Sequence, residues 1–108
     1  MTLITNVVPY HDLSRTEIDE WSAIQREPQY FGDPFLSPDF AAVISEVRSD
    51  VRVAVLRSSG WPVGFFPFQY LGAEIAEPVG RPINDYQAVI VRTGCSWDVR
   101  SLFHACGI

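Results

Sequence analysis

The sequence predicts an α/β protein of the α+β kind, in which a mostly antiparallel sheet is flanked by helices. Three observations support this: strand-length runs of β-branched residues, helical runs that begin with capping residues, and a serine-glycine turn between two apolar runs. The 108 residues are 47% hydrophobic and 13% aromatic, which suffices for one core. We therefore expect a single domain over residues 1–108.

The first strand is predicted over residues 3–8, "LITNVV", because this run is rich in β-branched residues and is closed by Pro9. A helix follows, since Ser14 and Glu17 have the spacing of a capping box. Pro28 ends the helical pattern, because the residue before a proline is biased away from helical geometry.

A second helix is predicted from Ser37, which is placed to act as N-cap, with Pro38 at the first helical position. The apolar residues that recur at helical spacing are Phe40, Val43, Ile44 and Val47. We expect this stripe to face the core.

A β-hairpin is predicted next. Residues 51–57 alternate in the manner of a strand, "SSG" forms the turn, and "PVGFFPFQYL" is the returning strand. Gly64 marks a bulge or a close approach of backbone, because a glycine otherwise only weakens a strand. Phe66, Phe68 and Tyr70 share one face of that strand, either as a core face or as an aromatic binding wall.

The remaining elements are a short strand or loop in "GAEIAEPVGRP", a strand over residues 85–91, "DYQAVIV", and a final helix. Ser96 is the expected N-cap of that helix and Gly107 closes it. The apolar residues at helical spacing within it are Val99, Leu102, Phe103 and Cys106.

Charge and hydropathy disfavour several classes of function. The net charge is −5, and all eight basic residues are arginines scattered along the chain, so we expect neither nucleic-acid binding nor adsorption to anionic lipid. The sequence contains no apolar run of membrane-spanning length, and we expect a cytoplasmic protein with no membrane span. Cys95 and Cys106 have no metal or redox spacing and are expected to be reduced.

Few residues suggest a catalytic, metal-binding or anion-binding site. His11 and His104 have no metal-ligand spacing, so a zinc site is not expected. Cys95 precedes the final helix, where a helix N-terminus can activate a thiol, but no histidine partner is identifiable. The same helix start, with Arg92 and Gly94 before it, is either an anion site or an ordinary helix start.

Asp85 and Tyr86 are the candidate site residues. They place a carboxylate and a phenol at the head of a strand, directly after a turn, where functional side chains often gather. The alternative is that Asp85 forms an Asx-type turn and Tyr86 packs in the core.

Three stretches carry a resemblance to a known family: "FLSPDF", the hairpin "VAVLRSSGWPVGFFPF" and the later "EPVGRPINDYQAVIV". With the order of elements, they resemble the N-terminal part of the CelD-like acetyltransferases, a GNAT-fold family linked to cellulose and exopolysaccharide biosynthesis. The resemblance implies transfer of an acyl group from acetyl-CoA or another acyl-CoA to an amine or a sugar hydroxyl. It also implies a partner, the C-terminal GNAT half of the same protein.

The resemblance places the cofactor in that second half. Residues 92–97 contain one glycine, whereas the pyrophosphate loop of GNAT enzymes has several spaced glycines, so no cofactor site is expected in this segment. We expect the N-terminal half of a longer acyltransferase, inactive alone, in which Asp85 and Tyr86 face the acceptor. The alternative is a non-catalytic module whose exposed sheet edge docks a partner domain.

Overall fold

The computed structural model describes residues 3–30, 33–72, 75–81 and 89–107. The strands are β1 (Leu3–Pro9), β2 (Arg52–Ser58), β3 (Trp61–Gly72), β4 (Ile75–Glu77) and β5 (Ile90–Val91), and the helices are α1 (Arg15–Gln25), α2 (Pro38–Ser45) and α3 (Val99–Cys106). Every strand pair is antiparallel and helices cover both faces of the sheet, so the predicted α+β class is confirmed.

The sheet is organised around the long strand β3. Along one side, β3 pairs with β2, which in turn pairs with β1, giving the order β1-β2-β3. On its other side, β3 pairs with β4 near Tyr70 and with β5 at Gly64 and Phe65. β1 therefore lies at one edge of the sheet, and β4 and β5 lie at the opposite edge.

The two faces of the sheet carry separate cores. Alternate residues of β2 point to opposite faces, and both sets are apolar, so the strand is buried on both sides rather than on one. Helices α1 and α2 cover the first face, whose buried residues include Trp21, Ile24, Val53, Val55 and Phe65. Helix α3 covers the second, whose buried residues include Ala54, Leu56, Phe66, Phe68, Leu102 and Cys106.

The predicted start of α1 is confirmed. The Glu17 backbone N–H donates to the Ser14 hydroxyl, and the Ser14 backbone N–H donates to the Glu17 carboxylate at 2.7 Å, which completes the capping box. Arg57 of β2 also donates to that carboxylate. Burial opposes ionisation of Glu17, but the hydrogen bonds from Ser14 and the Arg57 charge outweigh it, and the pKa of Glu17 lies below its ordinary value.

Helix α2 begins as predicted, but only Phe40 and Ile44 of the predicted stripe pack against the core. The Ser37 hydroxyl accepts from the helix's third residue and Pro38 follows it. The buried residues are Pro38, Ala41 and Ser45, whereas Val43 and Val47 are 65% and 80% exposed, so the predicted stripe is wrong at those two positions. The small side chains of Ala41 and Ser45 let this helix lie close to the core, which turns Val43 outward, and Val47 lies beyond the end of the helix.

Helix α3 begins later than predicted. Its N-cap is Asp98 rather than Ser96, because a turn at residues 93–94 and an extended segment separate β5 from the helix. Only Leu102 and Cys106 of the predicted stripe are buried, since this helix lies on the sheet along one narrow line. The other two members, Val99 and Phe103, are exposed.

The hairpin is confirmed in detail. Ser59 and Gly60 form a two-residue turn with positive φ values of 51° and 84°, the backbone geometry that matches the twist of paired strands. The register shifts by one residue beyond Leu56, which leaves Val63 as the extra residue of a β-bulge. Phe66 and Phe68 are buried with their rings stacked at 5.4 Å, so the aromatic run is a core face.

Gly64 is both next to the bulge and in a close approach. A Cβ atom at this position would lie 3.1 Å from Cγ2 of Val91 and 3.4 Å from Cβ of Leu56, tighter than ordinary packing allows. We predict that Gly64→Val lowers the free energy of unfolding by about 1–3 kcal/mol, because overpacking forces strand β5 away from β3. Urea unfolding measures the change.

The matched control is Gly72→Val, in the same strand, where an added Cβ meets nothing within 4 Å. This variant should unfold at an equal or higher urea concentration, because valine has the better strand propensity. Equal stability of the two variants would show that Gly64 is merely tolerated in the strand.

Candidate functional site

A cavity of about 350 Å³ lies on the α3 face, between the edge strand β1 and the start of α3. Its apolar surface comes from three leucines and one tryptophan, and its polar surface from hydroxyl groups and one carboxylate. The lining residues are Leu3, Thr5, Leu56, Ser96, Trp97, Asp98, Ser101 and Leu102. An apolar wall with a few polar groups, in this volume range, is typical of small-molecule sites.

Asp98 supplies the carboxylate of this cavity and also caps α3. It accepts hydrogen bonds from the Ser101 hydroxyl at 2.7 Å and from the Ser101 backbone N–H at 3.0 Å. These bonds hold the pKa of Asp98 below its usual range, so the group is ionised at neutral pH. A negative charge therefore stands at the helix start, where an anionic ligand would otherwise bind.

Arg92 precedes the same helix but is paired with another element. Its guanidinium donates to the Glu20 carboxylate of α1, and its backbone C=O accepts from the Cys95 N–H in a turn. Of the two interpretations of this segment, the geometry favours the ordinary helix start, because its basic residue is already paired and its cap is acidic.

Tyr30 lies beside β5 through a contact that the sequence does not signal. The Val91 backbone N–H donates to the Tyr30 hydroxyl at 2.6 Å, and that hydroxyl donates to the carbonyl of Val91 or of Val89, at 3.0 and 3.2 Å. The phenol thus occupies backbone groups of β5 that a further strand would otherwise use. Its partners are about sixty positions away in the chain, beyond the reach of any local pattern.

The histidines are not assembled into a metal site. His11 lies in a short 3-10 turn beside a second cavity of about 510 Å³, and His104 is exposed on α3. Among the residues that the structure describes, no three His, Cys, Asp or Glu side chains come close enough together to hold a metal ion.

The two cysteines are unpaired thiols. Cys106 is buried under the sheet, and burial raises its pKa to about 11, so it is a neutral core residue. Cys95 is half-buried in the turn before α3. In the described part of the chain, no hydrogen bond joins its thiol to either histidine.

Asp85 and Tyr86, the residues singled out from the sequence, lie outside the described residues. The cavity beside α3 is instead built from residues that carried no functional signal in the sequence. Ser96 was expected only as a helix cap, and Leu3 and Thr5 only as part of the first strand. Their meeting depends on α3 crossing from β5 to pack against β1, which local sequence does not specify.

No protein-family model, curated protein or solved structure matches the chain. None of the helices within the described ranges is long and apolar enough to cross a lipid bilayer.

We predict that Tyr30→Phe destabilises the protein by about 1–2 kcal/mol, because it leaves the Val91 N–H without its partner. Amide exchange should show faster exchange at Val91 in particular. The control is Tyr70→Phe, because the Tyr70 hydroxyl makes no hydrogen bond with any described residue. Unchanged exchange at Val91 in the Tyr30 variant would contradict the assignment.

Proposed function

We propose that this chain is the acceptor-side half of an acyl-CoA-dependent acyltransferase with a GNAT-like fold, linked to polysaccharide biosynthesis. The order of the elements supports the proposal: a strand, two helices, a hairpin, two short strands and a helix. That order is part of the CelD-like resemblance. Because one fold hosts many functions, the chemistry of the site has to support the assignment of cofactor and acceptor.

The acyl-CoA is assigned to a C-terminal GNAT half of the same protein. A pyrophosphate needs free backbone N–H groups and positive charge at a helix start. Here the carboxylate of Asp98 caps the helix, and the guanidinium of Arg92 is engaged by Glu20. The described start of α3 is therefore unsuited to a polyanion.

The acceptor is assigned to this chain, as an amine or a sugar hydroxyl held by Asp85 and Tyr86. A carboxylate orients such groups by a charge-assisted hydrogen bond, and a phenol adds an apolar wall with a polar tip. The cavity beside α3 supports this class of ligand, because it combines the indole of Trp97 with hydroxyls and an ionised carboxylate. A carboxylate or a phosphate would be repelled there by the Asp98 charge.

A non-catalytic docking module is the second candidate function. The observation that favours it is the outer edge of β1, which pairs with no other strand in the described part of the sheet and carries no charged residue. Acceptor binding separates the two candidates, because a docking module has no reason to bind an amine or a sugar.

We predict that the chain binds acetyl-CoA with a Kd weaker than about 10 μM, a binding free energy weaker than roughly −7 kcal/mol. The reason is the negative charge at the start of α3. Calorimetric titration measures it, with an acetyl-CoA-binding GNAT enzyme titrated under the same conditions as control. A Kd below about 10 μM would place the cofactor site in this half and overturn its assignment to the other.

We predict that glucosamine, which carries both an amine and sugar hydroxyls, shifts the backbone amide resonances of Asp85 and Tyr86 in an NMR titration. Asp85→Asn should remove the response at millimolar ligand while leaving the Tm nearly unchanged. Asp12→Asn, at an exposed aspartate in the turn after β1, is the matched control and should respond as the native chain does. A fall in Tm of several degrees in the Asp85 variant would show that the residue is structural.

A further inference from the structure

The outer edge of β1 has no partner strand among the described residues. β1 pairs with β2 in unbroken register from Leu3 to Pro9, and no strand in the described ranges pairs with its other side. The strand contains no charged residue, no bulge and no proline before its last position. Proteins usually protect an edge strand with charges, bulges or a covering element. β1 has neither charges nor a bulge, and no strand in the described part of the chain pairs with this edge, so it has the character of a strand that another strand covers.

The direction of the free backbone groups follows from one hydrogen bond. The Tyr10 N–H donates to the Val51 carbonyl at 3.3 Å, so these two residues form a hydrogen-bonded pair. Because antiparallel pairing alternates, the N–H and C=O groups of Leu3, Thr5 and Val7 point away from β2. Pro9 falls in the same phase, where the missing N–H costs no bond to β2.

We propose that this edge pairs with β1 of a second copy of the chain, antiparallel and across a two-fold axis at Asn6, so that one sheet runs through both copies. Thr5 then exchanges two backbone hydrogen bonds with Val7 of the second copy. The Leu3 N–H donates to the carbonyl of Pro9 in that copy. This pair lies at the end of the interface, where the N–H that Pro9 lacks is not needed. Symmetry gives roughly six backbone hydrogen bonds in total.

The side chains favour an axis at Asn6. Ile4, Asn6 and Val8 share the α1/α2 face of β1, and Ile4 is 64% exposed in one copy. The axis at Asn6 sets Ile4 opposite Val8 of the second copy and sets the two Asn6 amides opposite each other. The alternative axis at Thr5 would set Ile4 opposite Asn6, an apolar group against an amide. Matched cross-strand pairs stabilise a sheet, and only the first axis provides them.

Charge and size determine how the association behaves. The paired strands contain no charges, but each copy carries a net charge of −5, so two copies repel at long range. Salt screens that repulsion and should strengthen the association. A basic peptide paired with the same edge of β1 would show the opposite dependence on salt, because salt would weaken its attraction to the negatively charged chain. Two short paired strands bury less surface than a stable dimer needs, so dimers should accumulate only as concentration rises.

Sedimentation experiments on the whole chain test the proposal. The weight-average mass should rise from 12.1 kDa towards twice that value between about 10 μM and 1 mM protein, and should rise further in about 0.5 M NaCl than in 0.02 M. A mass of one copy at every concentration and both salt levels would overturn it. Growth beyond two copies would also overturn it, because a two-fold pairing closes.

Paired variants identify the surface. Ile4→Lys should weaken the association at least about tenfold, because each copy then sets a lysine charge opposite the apolar Val8 of the other copy. Val43→Lys, at an equally exposed valine on α2, changes the net charge identically and should leave it unchanged. Both sites are exposed, so both variants should fold. An Ile4→Lys chain that dimerises as the native chain does would overturn the proposal.

Amide exchange reports the register directly. The N–H groups of Thr5 and Val7 should become more protected as protein concentration rises. Those of Asn6 and Val8, which are bonded to β2, should be protected at every concentration. Dimers that form without new protection at Thr5 and Val7 associate through another surface, which would overturn the assignment to β1.

Discussion

The stacking of Trp21 on Phe65 is the contact on which the rest of the structure depends. The two rings lie 5.4 Å apart and almost parallel, both are fully buried, and they fix α1 over the middle of β3. The Trp21 indole N–H donates to the carbonyl of Leu36 at 2.9 Å, so the same side chain also anchors the segment that leads into α2. A buried indole without that acceptor would be costly, so helix, sheet and connecting segment have to come together as one unit.

Once α1 is seated in this way, its polar side chains determine how the end of the sheet is held. Glu17 reaches Arg57 at the end of β2, and Glu20 reaches Arg92 just beyond β5. The segment after α1 then brings Tyr30 to the backbone of β5, which at two residues is too short to be stable on strand pairing alone. The strand that leads into α3 is thus held from the side by α1 and its following loop.

The parts of the fold that depend on residues close together in the sequence could be predicted from it. The capping box of Ser14 and the hairpin turn depend on neighbours in sequence, so both were predictable. The buried face of α2 was not, because the closeness of approach at Ala41 outweighed the larger apolar residues around it. The start of α3 was misplaced by two residues, since Ser96 and Asp98 are both good N-caps and the preceding turn decides between them. The cavity and the Tyr30 contact join residues that are distant in the sequence, so only the tertiary structure could reveal them. The role of Asp85 and Tyr86 in holding the acceptor remains a prediction.

Pairing between copies would extend the sheet beyond β1 and leave the opposite edge, formed by β4 and β5, unchanged. Helix α3 follows β5 in the chain but packs on β1 and β2, on the other side of β3. Leu3 and Thr5 of β1 form one wall of the cavity and are also the residues whose backbone groups face the second copy. Ordering that wall by strand pairing would therefore also shape the cavity beside α3.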